Sequence, residues 1–381
     1  ASTVIADLAA TTSGIHARVS PDSLKNYLIR LSEFGTRNTG SDTLSATTGI
    51  GAARRWTYQK FESFSAANEN RLVVSYLQFD QDACGMGQHR NIFAVLPGSN
   101  PANNGVILIE GHIDSRCAVL CDVTCQAEGV EDNATGTALV LELARVMAQY
   151  TFENTLVFVA TIGEEQGLLG AEAFADYIQS KNIPLRAVLN NDIVGGVICG
   201  ETSSPPSCPG LDNIDSVGVR LFSSGGANSA HKQLARFIKL QYQENILPTA
   251  AVPMDLRLMS PEDRSGRGGD HRPFREHGYP AMRFTSANEH GDASNGPGYA
   301  DRQHTSDDVL GVDTDGDLII DSFFVQFNYL ARNVVINGNA AAAAARNVPT
   351  PANYTVLRSS NGGVGQLEVD IVGEMAWWRP A

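Results

Sequence analysis

Lysine is scarce. The chain carries five lysines among its 28 basic residues, the arginines are scattered, and 42 acidic residues bring the formal net charge to −14. Nucleic acids and anionic membranes are bound through clustered Lys and Arg that displace counterions, so neither is expected as a partner. Long apolar runs are missing as well; none approaches the roughly 18 residues that cross a bilayer. Ala1-Ser2-Thr3 shows neither an initiator Met nor a basic-plus-apolar leader. Removal of a signal peptide leaves such a terminus, and a secreted or periplasmic location is expected. Charged residues are few, 18% against 43% hydrophobic, which excludes a disordered polyelectrolyte and leaves a globular chain.

Cysteine is sparse but even in number: Cys84, Cys117, Cys121, Cys125, Cys199 and Cys208. Three crowd into "CAVLCDVTC" without zinc-ribbon spacing, so disulfides in an oxidising compartment are preferred over a sulfur-ligated metal. Cys199 and Cys208 flank the short Pro/Ser loop "GETSSPPS", and a disulfide closing it is expected.

At 381 residues the chain could form one large domain or two. Residues 1–65 read as a helical N-terminal segment, with Pro21-Asp22-Ser23 signalling a helix start. Strand-like runs follow at 71–79, 91–98, 105–114, 154–161, 185–196, 216–224 and 281–286, interleaved with helical spacing at 134–150, 168–180 and 229–243. This alternation predicts an α/β fold: a mainly parallel, mixed sheet flanked by helices on both faces, with the α/β core over 66–338. A long closing helix is expected over 315–338. Residues 339–353 read as a linker, and 354–374 as a β-hairpin with an Asn361-Gly362-Gly363 turn, which together make 339–381 a small β-rich appendage.

The polar residues fall where a parallel sheet carries its sites, at the carboxyl ends of strands. The run 105–111 leads into His112-Ile113-Asp114, 154–160 into Glu164-Glu165, and 185–190 into Asn191-Asp192. Residues i and i+2 of an extended chain share a face, so Asp114 can orient the His112 ring, as carboxylates do behind metal-bound histidines. Asp132 stands just before the helix 134–150. Histidine with several carboxylates and no thiol suits zinc, or else manganese or cobalt. The number of carboxylates favours two ions with a bridging carboxylate.

"GHIDS", "EDNATG", "IGEEQGLLGA", "NNDIVG", "GGDHRPF" and "HTSDD", in this order, resemble the co-catalytic two-zinc aminopeptidases, which include the bacterial leucyl aminopeptidases and to which the glutaminyl cyclases are related. The resemblance covers roughly residues 70 to 335. It implies a three-layer zinc-peptidase fold over 1–338 and a monomer acting on peptides with a free N-terminus. It further implies that His112 and Asp192 hold one zinc, Glu165 and His304 the other, and Asp132 both. Glu164 would be the general base and Asp114 the residue that orients His112. Gln303 stands where family members often have Tyr, so an oxyanion-assisting Tyr is unassigned, with Tyr299 and Tyr279 as candidates. Two related chemistries stay open, a one-zinc glutaminyl cyclase and a two-zinc carboxypeptidase; a catalytically dead binding domain would be expected to have lost ligands.

Several residues have plainer readings. A lone strand-end His is more often a hydrogen-bonded structural residue, His290 lies near His304, and Asp132 could cap a helix. Asp270 could cap a turn with Pro273 starting a helix, with His271 structural or in the pocket wall rather than on a metal, and Asp308 could cap a helix after His304. "DTDGD" at 313–317 hints at calcium, but the sixth and twelfth positions from Asp313 are Leu318 and Phe324, which excludes an EF-hand and leaves only a simpler calcium site. Asn133 and Asn353 fit the glycosylation sequon, the first of them inside the expected site.

Overall fold

The computed structural model describes residues 4–100, 105–197, 214–263, 268–288 and 302–346, together with two strands at 354–357 and 368–371. The chain opens with helices α1 (Leu8–Arg18), α2 (Pro21–Ser32) and α3 (Gly49–Ala66). Asp7 caps α1 by accepting from Ala10 N, and Ser20 caps α2 from Ser23 N with Pro21 in the first turn. Strands β1 (Val73–Ala83) and β2 (Met86–Leu96) form a hairpin, followed by β3 (Val106–His112), α4 (Thr135–Met147), β4 (Thr155–Thr161), α5 (Leu169–Ser180) and β5 (Leu185–Asn191). Next come β6 (Gly218–Phe222), α6 (Ala230–Asn245), β7 (Asp255–Leu258), α7 (His271–Glu276) and β8 (Ala281–Ser286). A two-residue pair, β9 (Gly311–Val312) and β10 (Ser322–Phe323), precedes α8 (Phe327–Ala344).

The eight-stranded sheet has the order β1-β2-β4-β3-β5-β8-β6-β7. Its centre, β4-β3-β5-β8, is parallel, while β2 joins β4 and β6 joins β8 in antiparallel fashion. Neighbouring residues of each central strand face opposite layers, as the two-residue period requires. Ile107, Ile109, Leu156 and Phe158 enter the larger core beneath α1–α4, α6 and α8, whereas Leu108, Val157 and Val159 pack with Phe174 and Ile178 of α5 and Phe274 of α7. Helices thus cover both faces, as expected. The close approach of α4 to the sheet requires glycine, because a Cβ on Gly136 would overlap the Asn191 carbonyl and the Asn133 side chain.

Three expectations change. The segment 315–326 is not helical: it holds the loop before β10, and Gln326 caps α8 through Tyr329 N. Residues 339–344, read as linker, are the last turns of α8 and are buried; alanine is the strongest helix former, and its small side chain suits close packing. The short strand β7 was not anticipated, and the helix expected to start at Pro273 begins two residues earlier, at His271. The chain divides into a unit of residues 1–345 and a second of residues 346–381. In the second, β11 (Tyr354–Leu357) pairs antiparallel with β12 (Glu368–Ile371), and the expected turn lies outside the described residues.

Candidate metal centre

Three of the central parallel strands deliver polar groups to the same edge. His112 ends β3, Glu164 and Glu165 follow β4, and Asp192 follows β5. Asp132 comes from an irregular turn, Val130–Ala134, and His304 from a loop in which its φ is +60°. With Asp114, whose Oδ1 lies 3.5 Å from His112 Nδ1, the seven predicted site residues come together. Asp132 sends one oxygen to each histidine: Oδ1 lies 3.2 Å from His112 Nε2 and Oδ2 lies 2.9 Å from His304 Nε2. Asp192 Oδ1 is 3.4 Å from His112 Nε2, and Glu165 Oε2 is 3.2 Å from His304 Nε2. Two three-residue groups, His112/Asp132/Asp192 and Asp132/Glu165/His304, each place their donor atoms within 4.8 Å of one another.

The donors fit divalent ions. His112 Nδ1 lies 3.1 Å from the Asp114 carbonyl oxygen, which can only accept, so Nδ1 carries the proton and the Nε2 lone pair faces the carboxylates. His112 Nε2, Asp192 Oδ1 and Glu165 Oε1 are buried without a hydrogen-bond partner, an expensive arrangement unless a cation is shared among them. The charge balance agrees. Burial works against a protonated His112, yet Glu164, Asp114, Asp132 and Asp192 outweigh it and raise its pKa well above the ordinary value. His304, opposed by burial but favoured by Glu165 and Asp132, is pushed up to about 9. Burial would raise Asp132; the two histidines reverse this and hold it well below the usual carboxylate range. Glu164 moves the other way, raised by burial and by Glu165, Asp192 and Asp270 against the pull of His112.

A surrounding shell fixes these groups. Asp114 accepts from Glu164 N (3.4 Å), Glu165 N (3.2 Å) and Thr39 Oγ1 (3.2 Å), tying the β4 exit to the β3 exit. Asp308 accepts from Glu131 N at 2.8 Å and Asp132 N at 3.0 Å, so it holds the Asp132 turn rather than capping a helix after His304. Asn133 reaches Asn191 O and receives Gly136 N and Ile193 N; fully buried, it is no glycosylation acceptor. Arg37, also buried, donates to the carbonyls of Ile113, Leu31, Glu128 and Gly129. Burial lowers its pKa to about 10. Arg283 of β8 meets Asp192 Oδ2 at 3.1 Å and Asp263 at 3.1 Å. Gln303 Nε2 donates to Asp132 Oδ2 at 2.8 Å.

Asp308 was expected elsewhere, and Arg37 and Arg283 were not anticipated at all. A charged residue inside the apolar strand "AMRFTS" was the one available signal for Arg283. Asp270 bonds Thr161 Oγ1 instead of capping α7. His271 is buried, its pKa lowered by burial to about 4, and belongs to neither group of metal donors. Tyr279 packs on the smaller core, and Tyr299, His290, Asn353, Cys199 and Cys208 lie outside the described residues. The other four cysteines form disulfides Cys84–Cys121 and Cys117–Cys125. In the loop between β9 and β10, Asp313, Asp315 and Asp321 converge at the surface.

The centre opens into a cleft of about 900 Å³ lined by Leu168, Leu169 and Pro273, by the acidic Glu172 and Glu276, and by Arg116 and Arg272. Arg116 donates to Glu165 Oε2 at 2.8 Å, and its Nη2 lies 2.6 Å from His304 Nδ1.

Residues 91–317 match peptidase family M28. A probable zinc metalloprotease of Pyrenophora tritici-repentis is 31% identical over 375 residues, spanning 93% of this chain and 81% of its own. Another, of Leptosphaeria maculans, is 32% identical over 354 residues, spanning 89% and 77%. Among solved structures, the LapA aminopeptidase of Legionella pneumophila aligns with a TM-score of 0.62 at 17% identity, over 91% of this chain and 77% of that one. Glutaminyl cyclase of Porphyromonas gingivalis aligns with 0.57 at 17% identity, over 85% and 97%. These two show a shared fold. The family match spans more than half of the chain, and relatives nearly a third identical run along most of it: the chain belongs to peptidase family M28 and is a zinc metallopeptidase.

Proposed function

We propose that the chain is an aminopeptidase that uses two zinc ions and Glu164 as general base. The observation that carries the two-ion reading is Asp132, whose oxygens face different histidines. His112 and Asp192 would hold one ion, Glu165 and His304 the other, and Asp132 both. Zinc held there would supply Lewis acidity, lowering the pKa of water and polarising a carbonyl. Glu164 borders the cleft and carries a raised proton affinity. It takes a proton from the attacking water and returns it to the leaving amine. Asp114 sets the position of that base through the backbone of residues 164 and 165 and keeps His112 in the tautomer that presents Nε2. Arg283 holds Asp192, so the carboxylate stays oriented within the sheet.

Carboxylates outnumber arginines along the cleft: Asp132, Glu164, Glu165, Glu172, Asp192 and Glu276 against Arg116 and Arg272. Asp132, Glu165 and Asp192 would be neutralised by the ions, so the support for a cationic amino terminus is Glu172 and Glu276 in the wall, together with the aminopeptidase named among the structural neighbours. The two arginines support the second reading, a carboxypeptidase, and comparing N-blocked with C-blocked peptides separates the two. One ion per chain would favour the glutaminyl cyclase chemistry. The two disulfides support a secreted protein, and among the described residues no helix is long and apolar enough to cross a membrane. Hydrolysis of aminoacyl-nitroanilides should disappear on chelation and return with two equivalents of zinc. Absence of chelator-sensitive release of any N-terminal residue would overturn the reading.

A further inference from the structure

Outside the centre, a second set of metal-type donors lies where α5 meets α7. Glu172 and Asp176 are four residues apart on α5 and therefore share one helix face. His277, which caps the C-terminus of α7, stands opposite them. Its Nδ1 is 2.8 Å from the Pro273 carbonyl oxygen. A carbonyl only accepts, so Nδ1 carries the hydrogen and Nε2 is the nitrogen turned toward α5. Nε2 lies 2.9 Å from Asp176 Oδ1 and 4.0 Å from Glu172 Oε1, and the three donor atoms fall within 4.8 Å of one another.

We propose that Glu172, Asp176 and His277 form a separate divalent-cation site, of the zinc type, that clasps α5 to α7. A carbonyl on the far ring nitrogen is how metal-binding histidines are held in a single tautomer. One imidazole with two carboxylates is a donor set that zinc accepts, and exposed surroundings leave room for water to complete the coordination. An ion pair between His277 and Asp176 accounts for only one of the two carboxylates. Glu172 stands too far away to hydrogen-bond the ring but close enough to share an ion with it. The clasp differs from the catalytic centre in its access. Glu172 and Asp176 are 48% and 65% exposed in their side chains, whereas the central carboxylates are nearly closed off. It also reaches the cleft, because Glu172 and Pro273 belong to its wall. A bound ion would therefore fix the spacing of the two helices that frame the substrate.

The test uses the zinc-loaded enzyme, freed of excess metal, and compares the wild type with Asp176→Asn and His277→Gln. Zn²⁺ is titrated by calorimetry, Co²⁺ by visible absorption, and Tm is followed as either ion is added. The wild type should take up one more equivalent than either variant, with Tm rising with ion concentration as mass action requires. Each substitution should weaken that uptake by about tenfold or more. Asp176 lies on the outer surface, so without added metal, when the clasp is empty, Asp176→Asn should keep its nitroanilide activity and thereby show that it folds. Equal uptake by the wild type and both variants, or no uptake by the wild type beyond its central ions, would overturn the proposal. Because the readout is a difference between wild type and variants, it stands whatever the number of central ions.

Discussion

The two halves of the metal centre are built differently. His112 and Asp192 extend from parallel strands, and their partners Asp114 and Arg283 also belong to the sheet or its immediate exits. Glu165 and His304 come from turns and contact Arg116, which is partly exposed on the cleft. In the first half, position follows from sheet register, and the cost of burying charge is met by pairing inside the protein. In the second, position depends on loop conformation and on Asp308, which secures the shared Asp132 from 176 residues away. The strand half should therefore be the stiffer one and the loop half the more adjustable.

The largest effect should come from Glu164→Gln, which belongs to neither half. Turnover should fall by about 10²–10⁴ while zinc content, measured by mass spectrometry or elemental analysis, stays at the wild-type level. Loss of an ion would erase the distinction between base and ligand. Next, Arg283→Met tests the rigidity of the strand half. It removes the buried cation that Asp192 and Asp263 share and should cost about 3–5 kcal/mol in urea unfolding; a cost below about 1 kcal/mol would mean that this half does not rest on the pair. Asp114→Asn should lower zinc affinity by about 10–100-fold in competition with a chromophoric chelator, and the ion held by His112 should leave first. If the loop-half ion left first, the comparison would be reversed.

The smallest effect concerns pH. Burial opposes the charge on His277, but the Pro273 carbonyl and Asp176, with Glu172, outweigh it and raise the pKa. A raised histidine stabilises the fold fully below its unfolded value of about 6.5 and loses that contribution as pH rises through the folded value. Without added divalent ion, His277→Gln should therefore melt lower than the wild type in mildly acidic buffer, and the gap should close in alkaline buffer. A gap that widened with pH would contradict the assignment.

What could be read from the chain follows the same division. The ends of β3, β4 and β5 were legible because a continuous apolar run stops at a polar residue, and a strand has only two faces to offer. His304 had no such signature, and its assignment rested on resemblance. Asp308 and Arg37 were illegible because their partners are backbone groups 177 and 92 residues away, a pairing that no local pattern encodes. α8 was displaced toward the C-terminus for a related reason. Residues 315–326 are as apolar as a helix face, yet Asp313 and Asp321 accept backbone N–H groups across a turn, while the alanine run looked like a linker and is buried core.

Asp114 has a consequence for how such an enzyme can change over generations. One residue does two jobs: its carbonyl oxygen sets the ring of a metal-binding histidine, and its carboxylate holds the backbone of both adjacent glutamates. A shift of the backbone at this position therefore moves the ring and the base together, so metal affinity and placement of the base cannot drift independently through it. Variation in substrate choice has a freer route through the cleft rim, where Arg272 and Glu276 can be exchanged without disturbing that shared support.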